Sequence, residues 1–128
     1  APGYAGGGAV KLTVGLLELD GTILADGVDA YHSTRGPAAG SGGSIWIHAN
    51  NLTGAGTIRA DGGSTSDNAY SDIGGGGGGG RIAIQYASMN FDTNNNVSVA
   101  GGASPQDPGD DGNTCYESLR IGSVFIVR

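Results

Sequence analysis

The feature that most constrains the fold is a sequence pattern that occurs three times and starts a fourth time. Its first part begins at Gly8, Gly43, Gly80 and Gly122, so the copies are separated by 35, 37 and 42 residues. Repetition at such a period predicts stacked structural units, because one unit of this size cannot bury an apolar face alone. We therefore predict one domain over residues 1–128, built from repeats at approximately 8–42, 43–79 and 80–121 and a partial repeat at 122–128.

Apolar and polar residues alternate in the first part of each repeat. In the first copy, Val10 and Leu12 would share one face of a strand while Lys11 takes the other. A period of two with β-branched residues is typical of a strand that is buried on one side. Because the copies align without gaps here, like residues should stack on like residues in inward columns. The two predicted columns are Val10, Ile45, Ile82 and Val124, and Leu12, Ile47, Ile84 and Ile126.

Each repeat continues with two further apolar pieces. The last piece ends at Gly27, Gly62 and Gly101, where glycine would adopt a positive φ at little cost. The third repeat carries two extra residues, which the alignment places between Tyr86 and Phe91. The predicted inward columns of these pieces are Leu17, Leu52 and Phe91; Ile23, Ile58 and Val97; and Ala25, Ala60 and Val99.

Three short strands per repeat, without a helical pattern, predict a parallel β-solenoid. No segment spaces apolar residues at 3.6 positions, so the crossover helices of ordinary parallel sheets are not expected. The connections at roughly 28–42, 63–79 and 102–121 are long, and we expect them to pack on one side of the domain. Glycine runs lead into the first strand of three repeats, and we expect them to pack closely against neighbouring backbone.

The repeat has a consensus, which is best developed from Gly42 to Gly63: Gly-Gly-(Ser/Arg)-Ile-x-Ile, followed by Gly-x-Ile-x-Ala-x-Gly-Gly. This pattern resembles the glycine-rich repeats of large secreted and cell-surface proteins, which are similar to right-handed parallel β-helices of the pectin-lyase-like type. The resemblance covers essentially the whole chain. It implies an all-β, right-handed parallel β-helix of about three rungs plus one extra strand, in an extracellular or cell-surface protein. It specifies a scaffold rather than a reaction, because that fold carries many functions.

The charge composition of the chain argues against two classes of binding partner. The net charge is −6 and the chain has only six Lys and Arg residues, which argues against nucleic acid and against an anionic membrane surface. No stretch has the length of a transmembrane helix or the pattern of a signal peptide, so we expect no membrane insertion, and the start at Ala1 is expected of a processed chain. A lone Cys115 excludes an internal disulfide framework.

The acidic residues Asp26 and Asp61 occupy equivalent positions and should stack on each other. They could form a calcium site or an acid/base pair, or they could be turn residues that precede glycine, which is the interpretation we favour. A polysaccharide lyase with this fold would be expected to cluster acidic calcium ligands near a basic residue. Here Arg59 lies near Asp61, but most other acids fall in the loops. We therefore predict no catalytic residues, no cofactor and no calcium or other metal.

The remaining candidates are two histidines, the cysteine and a few aromatic residues. His32 and His48 are not spaced as ligands, so surface histidines are favoured. Cys115 aligns with alanines, so a small buried thiol is favoured over a nucleophile, with an intersubunit disulfide as the lesser alternative. Outward aromatic residues could stack on sugar rings or could pack against loop tyrosines, which we favour. A threonine ladder for ice binding would be too short. The outward column predicted for the first strands is Lys11, Trp46, Ala83 and Phe125.

Two sequons suggest glycosylation. Asn51-Leu52-Thr53 and Asn96-Val97-Ser98 both place asparagine at a turn or outward position, where a glycan would fit, and Asn113 begins a weaker third candidate. Asn51 and Asn96 are the predicted sites, and N-linked glycans are the only covalent groups expected.

The sequence predicts a non-enzymatic, extracellular structural protein that assembles with itself. A solenoid this short has two open ends, and neither end of the sequence shows a polar cap. The incomplete fourth copy invites completion by a neighbour, which predicts a head-to-tail filament with no role for nucleic acid. A carbohydrate-binding or degenerate lyase-like module is the alternative, with glycans as its partner. The predicted assembly strand is Ser123, Val124, Phe125, Ile126 and Val127.

Overall fold

The chain forms an all-β fold with parallel strands. The computed structural model describes residues 3–31, 36–66 and 74–119. In this part, the only helix has four residues, and no helix is long and apolar enough to cross a membrane. The elements in chain order are β1 (Ala9–Glu18), β2 (Thr22–Leu24), β3 (Ser44–Thr53), β4 (Thr57–Arg59), β5 (Arg81–Asn90), α1 (Thr93–Asn96), β6 (Val97–Ser98) and β7 (Asn113–Ser118).

The strands form two parallel sheets. The larger sheet has the order β1-β3-β5-β7 and the smaller one has the order β2-β4-β6. Each of the first three repeats therefore contributes a ten-residue strand to the first sheet and a short strand to the second. Partners in adjacent strands are equivalent residues of consecutive repeats, as in Val10 beside Ile45 and Ile45 beside Ile82. The in-register stacking predicted for the first three repeats is confirmed.

The two sheets share one apolar core. The best-buried side chains come from the central strands. The predicted columns through Ile58 and Ala60 are confirmed, and so are the first three members of the column through Ile47. Burying a side chain of this size contributes about 1.5–3 kcal/mol. In the first repeat, Leu12 and Ile23 are only half-buried, because β1 and β2 lie at the edges of their sheets, whereas Ala25 is 4% exposed. The side chains with less than 2% of their surface exposed are Ile45, Ile47, Leu52, Ile58, Ile82 and Ile84.

The predicted start of the fourth repeat is wrong. The strand beside β5 is β7, so Ile82 pairs with Thr114 and Ile84 with Tyr116 instead of Val124 and Ile126. The fourth copy therefore begins at Gly112. Every residue of β7 is exposed, so this edge strand does not require the apolar residues on which the alignment relied. The segment Ser123–Val127 lies outside the described residues.

The third repeat accommodates its two extra residues after the strand instead of within it. Register with β3 is unbroken up to Asn90, so Leu52 pairs with Met89 and not with Phe91 as predicted. The extra length is taken up by the single turn of α1, which Asp92 caps by accepting from the backbone N–H groups of Asn94 and Asn95. Two extra residues inside the strand would have kept each later side chain on its face but would have shifted the pairing of like residues by two positions.

The glycine segments pack backbone against backbone, as predicted. A row of hydrogen bonds with N···O distances of 2.7–3.0 Å crosses seven consecutive segments of the chain. A methyl group at Gly77 would lie 1.9 Å from the Gly40 carbonyl oxygen, and one at Gly27 would lie 2.0 Å from the same atom. No side chain fits between segments this close. The residues in the row are Ala5, Val28, Gly40, Gly63, Gly77, Gly102 and Gly109.

Close approach, and not backbone conformation, explains the glycines that end each repeat. The predicted positive φ at Gly27, Gly62 and Gly101 is wrong: among the described glycines only Gly54 has a positive φ, of 112°. Gly62 and Gly101 each face a glycine carbonyl oxygen that a methyl group would approach to 1.9 Å. The constraint therefore comes from segments distant in sequence.

Candidate functional site

The two outer strands of the larger sheet are open on one side. We call the side of β1 that faces away from β3 the β1 edge, and the side of β7 that faces away from β5 the β7 edge. In the described residues no strand pairs with either edge. Each edge presents backbone donors and acceptors in a row, which is a template for another strand.

The β1 edge is apolar on its inner side. Val10, Leu12 and Val14 are half-buried, whereas their counterparts in β3 are 0–1% exposed. A further strand paired with the β1 edge would cover these three side chains from the side opposite β3. The β7 edge is more polar, since its inward positions are Thr114, Tyr116 and Ser118.

The acidic pair predicted from the sequence is structural in the described chain. The Asp26 carboxylate accepts a hydrogen bond from the Asp61 backbone N–H (2.8 Å), and the Asp61 carboxylate accepts from the Ala100 N–H (2.8 Å) and from the Ser98 hydroxyl. Each aspartate thus ties its repeat to the next one. Asp29 does the same for the Ser64 N–H at 2.7 Å.

Arg59 lies between the two carboxylates. Its guanidinium forms an ion pair with Asp26, and its Nε lies 3.4 Å from an Asp61 oxygen. The hydrogen bond and charge of Asp26 raise the pKa of Arg59 above its ordinary value, so this cation keeps its proton. Because half of the arginine side chain is exposed, the pairs contribute no more than about 1 kcal/mol each. In the described part, no three His, Cys, Asp or Glu side chains group as metal ligands would.

The outer face of the larger sheet carries a shallow groove of about 410 Å³. Trp46 lines it with 41% of its surface exposed, and the Lys11 ammonium lies 4.4 Å from the centre of the indole ring. Arg81 lines the same groove. In the described part, neither Lys11 nor Arg81 forms an ion pair, so two cations and the single tryptophan meet on one surface of an acidic protein.

The fourth member of the outward column is Cys115 and not Phe125. Cys115 pairs with Ala83 on the exposed face of β7, so the prediction of a buried thiol is wrong. The error follows from the misplaced fourth repeat. His48 is half-buried in the adjacent outward row, and His32 lies outside the described residues.

The two predicted glycosylation sites differ in accessibility. Asn51 is exposed on β3 between Leu16 and Ser88, two outward residues of the neighbouring strands. Asn96 is half-buried at the end of α1, and the hydroxyl of its sequon residue Ser98 donates to Asp61. Asn51 is therefore the more open acceptor.

Sequence reasoning missed the position of β7 as the fourth strand of the larger sheet. Its residues alternate only weakly, and the run from Gly122 matches the consensus better. The one available signal was Gly112, which precedes β7 as Gly8, Gly43 and Gly80 precede the earlier strands. Comparisons with family models, with curated proteins and with solved structures found no match to this chain.

Proposed function

We propose that the protein is a non-enzymatic structural subunit that assembles end to end into an extracellular filament. The observation that carries this proposal is that both outer strands of the four-stranded sheet are unpaired in the described residues. Exposed parallel edges favour association with further strands unless they are capped or covered. Identical head-to-tail contacts generate an open filament when the rotation between subunits does not close a ring.

The finer fold that we propose is a right-handed parallel β-helix of about three rungs plus one strand. Its support is the alternation of the two sheets along the chain: each repeat visits the larger sheet, then the smaller sheet, then the glycine row. In such a coil every repeat contacts only its neighbours, so a further subunit can continue the stack. The glycine-rich connections would then form the third side of the coil.

The state of association tests the proposed function. We expect sedimentation velocity to show large, concentration-dependent species and negative-stain electron microscopy to show thread-like particles of uniform width. A compact monomer at concentrations of hundreds of micromolar would refute the proposal. The predicted assembly strand Ser123–Val127 is tested by deleting residues 122–128, which should abolish filaments if that segment joins the subunits.

We propose that any N-linked glycan is carried by Asn51 or Asn96, with Asn51 preferred for its exposure. Intact mass spectrometry of native material should show a hexose-containing adduct that Asn51→Gln removes. A mass equal to that of the bare polypeptide would contradict both the glycan and the support it lends to a secreted location.

The chain is also proposed to have no activity on acidic or neutral polysaccharides. Asp26, Arg59 and Asp61 are engaged with one another and with backbone N–H groups of the next repeat, which accounts for them without catalysis. Turnover that disappears in both Asp61→Asn and Arg59→Ala would overturn this.

A carbohydrate-binding module is the second candidate, and the Trp46 groove is the observation that favours it. The indole ring presents an electron-rich face on which the C–H face of a sugar could stack. Because Trp46 is the single tryptophan, its fluorescence reports on the groove directly. Titration with neutral and acidic oligosaccharides should leave that emission unchanged if the protein is only structural. A saturable shift, together with binding in isothermal titration calorimetry that Trp46→Phe abolishes, would favour the binding module.

A further inference from the structure

We infer that the β7 edge of one copy pairs directly, in parallel, with the β1 edge of the next copy. This inference rests on the proposed filament and names its contact. In the register that continues the repeat, Gly112 of one copy precedes Gly8 of the next, as Gly80 precedes Gly112 within the chain. The occupant of the β1 edge is then a second copy, through a strand that the sequence did not single out.

The strongest support comes from Gly8, where a larger side chain would meet no steric obstacle in the described chain. Within the chain, a methyl group at Gly43 would lie 1.9 Å from the Gly8 carbonyl oxygen, and one at Gly80 would lie 2.1 Å from that of Gly43. Gly112 faces Gly80 in the same way, at 1.9 Å. At Gly8 a methyl group would have nothing within 4 Å among the described residues. The Gly112 carbonyl of a preceding copy would occupy that space.

The same carbonyl completes a row of hydrogen bonds. The backbone N–H that follows each repeat glycine donates to the glycine of the preceding repeat: Ser44 to Gly8 at 3.0 Å, and Asn113 to Gly80 at 3.0 Å. The Arg81 N–H makes the same bond to Gly43. In the described chain, the Gly112 carbonyl has no later repeat from which to accept the equivalent hydrogen bond. The Ala9 N–H has no earlier repeat to which it could donate one. Pairing between copies joins these two groups.

Side chains across the contact are also complementary. Cys115 would lie beside Lys11 of the next copy, and Glu117 would lie diagonally from that lysine on the same outward face. Long side chains can reach such diagonal neighbours, so the Lys11 ammonium, which forms no ion pair within the described chain, would form one with the Glu117 carboxylate. Inside, Val10 and Leu12 would be covered by Thr114 and Tyr116.

The native cysteine supplies a direct test. Adjacent strands lie about 4.8 Å apart, so Lys11→Cys would bring its sulfur within disulfide reach of Cys115 of the neighbouring copy. Each chain then carries two cysteines, and mild oxidation should give a ladder of covalent oligomers that a reductant collapses to monomer. Thr13→Cys is the control: its Cα would lie about 8 Å from that of Cys115, beyond disulfide range. The wild-type chain, with one cysteine, cannot extend past a dimer.

Gly8→Ala tests the steric argument without disturbing the subunit. We expect its thermal midpoint as a dispersed chain to match that of the wild type, and its filament yield to fall at least tenfold. Gly15→Ala is the matched control: its methyl group also meets nothing within 4 Å, and the equivalent Asn50 and Ala87 already carry side chains. Filaments of Gly15→Ala should form normally.

The outcomes separate this contact from the filament itself. Filaments that form with Gly8→Ala, or that give no ladder with Lys11→Cys, would overturn the β7–β1 pairing and leave the proposed function standing. Absence of filaments in the wild type would overturn both. Deleting residues 120–128 decides between the two candidate strands: retained filaments and ladder support β7, and their loss assigns the contact to the predicted segment Ser123–Val127 instead.

Discussion

Replacing Ile58 by alanine tests whether the middle of the apolar core contributes more to stability than its edge does. Ile58 is 0% exposed and pairs with Ile23 on one side and Val97 on the other. The truncation leaves a cavity that two flanking strands hold open, so we expect a loss of about 3–4 kcal/mol from the free energy of unfolding. For a chain of this size that corresponds to a fall of about 10–20 °C in the thermal midpoint.

Ile23→Ala is the matched control, because it removes the same atoms from the same column. Ile23 is only half-buried, since β2 lies at the edge of its sheet, and we expect a loss of about 1–2 kcal/mol. Urea unfolding of the dispersed chain, followed by circular dichroism, measures both values. Equal losses, or a loss below about 1 kcal/mol for Ile58→Ala, would refute the register and the position of the core.

Three further outcomes follow from individual contacts. Asp61→Ala should lower the free energy of unfolding by about 1–3 kcal/mol in urea titrations, because the Ala100 N–H loses its acceptor; no change would show that the ties between repeats are dispensable. Hydrogen bonds from the Asn95 side chain and backbone lower the pKa of Asp92, so its contribution to stability is present above about pH 4 and disappears as the pH falls through the lowered pKa. The difference in urea midpoint between the wild type and Asp92→Ala should therefore shrink below pH 4, and a constant difference would contradict the cap. Gly77→Ala should prevent folding by circular dichroism, because its methyl group would collide with the Gly40 carbonyl; a native spectrum would refute the packed glycine row.

The parallel register of the first three repeats could be predicted from the sequence. Alternating residues such as Val10, Ile45 and Ile82 recur at nearly equal spacing, and parallel in-register pairing is the arrangement that places them together. Alternation with Ile58 and Ala60 also identified the outward position of Arg59, and recurrence at a fixed point of the repeat identified the close packing of the glycine runs.

The edges of the stack could not be predicted in this way. A periodic pattern of apolar residues indicates which positions are buried. No later repeat covers β7 in the described chain, so its inward positions hold Thr114 and Ser118, which in the sequence resemble loop residues. The apolar run at Ser123–Val127 fits the pattern better and was therefore assigned to the fourth copy. An edge strand is recognised by what precedes it, here Gly112, more than by its own alternation.

The role of the acidic residues also depended on distances that sequence does not contain. Equivalent positions for Asp26 and Asp61 indicated stacking. Only the folded structure shows that each carboxylate accepts a hydrogen bond from a backbone N–H of the following repeat. The glycines at 27, 62 and 101 illustrate the same limit. A demand for positive φ and a demand for close approach both select glycine, and only the neighbouring backbone separates the two explanations.

Electron cryo-microscopy of the assembled protein tests the central claim most directly. If subunits continue one parallel stack through β7 and β1, strands lie across the filament axis at a uniform spacing of about 4.8 Å, and four strands per subunit give an axial rise of about 19 Å. In the reconstruction, the larger sheet should show no break in that spacing between subunits. Discrete particles, or filaments in which the β1 edge faces solvent, would contradict the account.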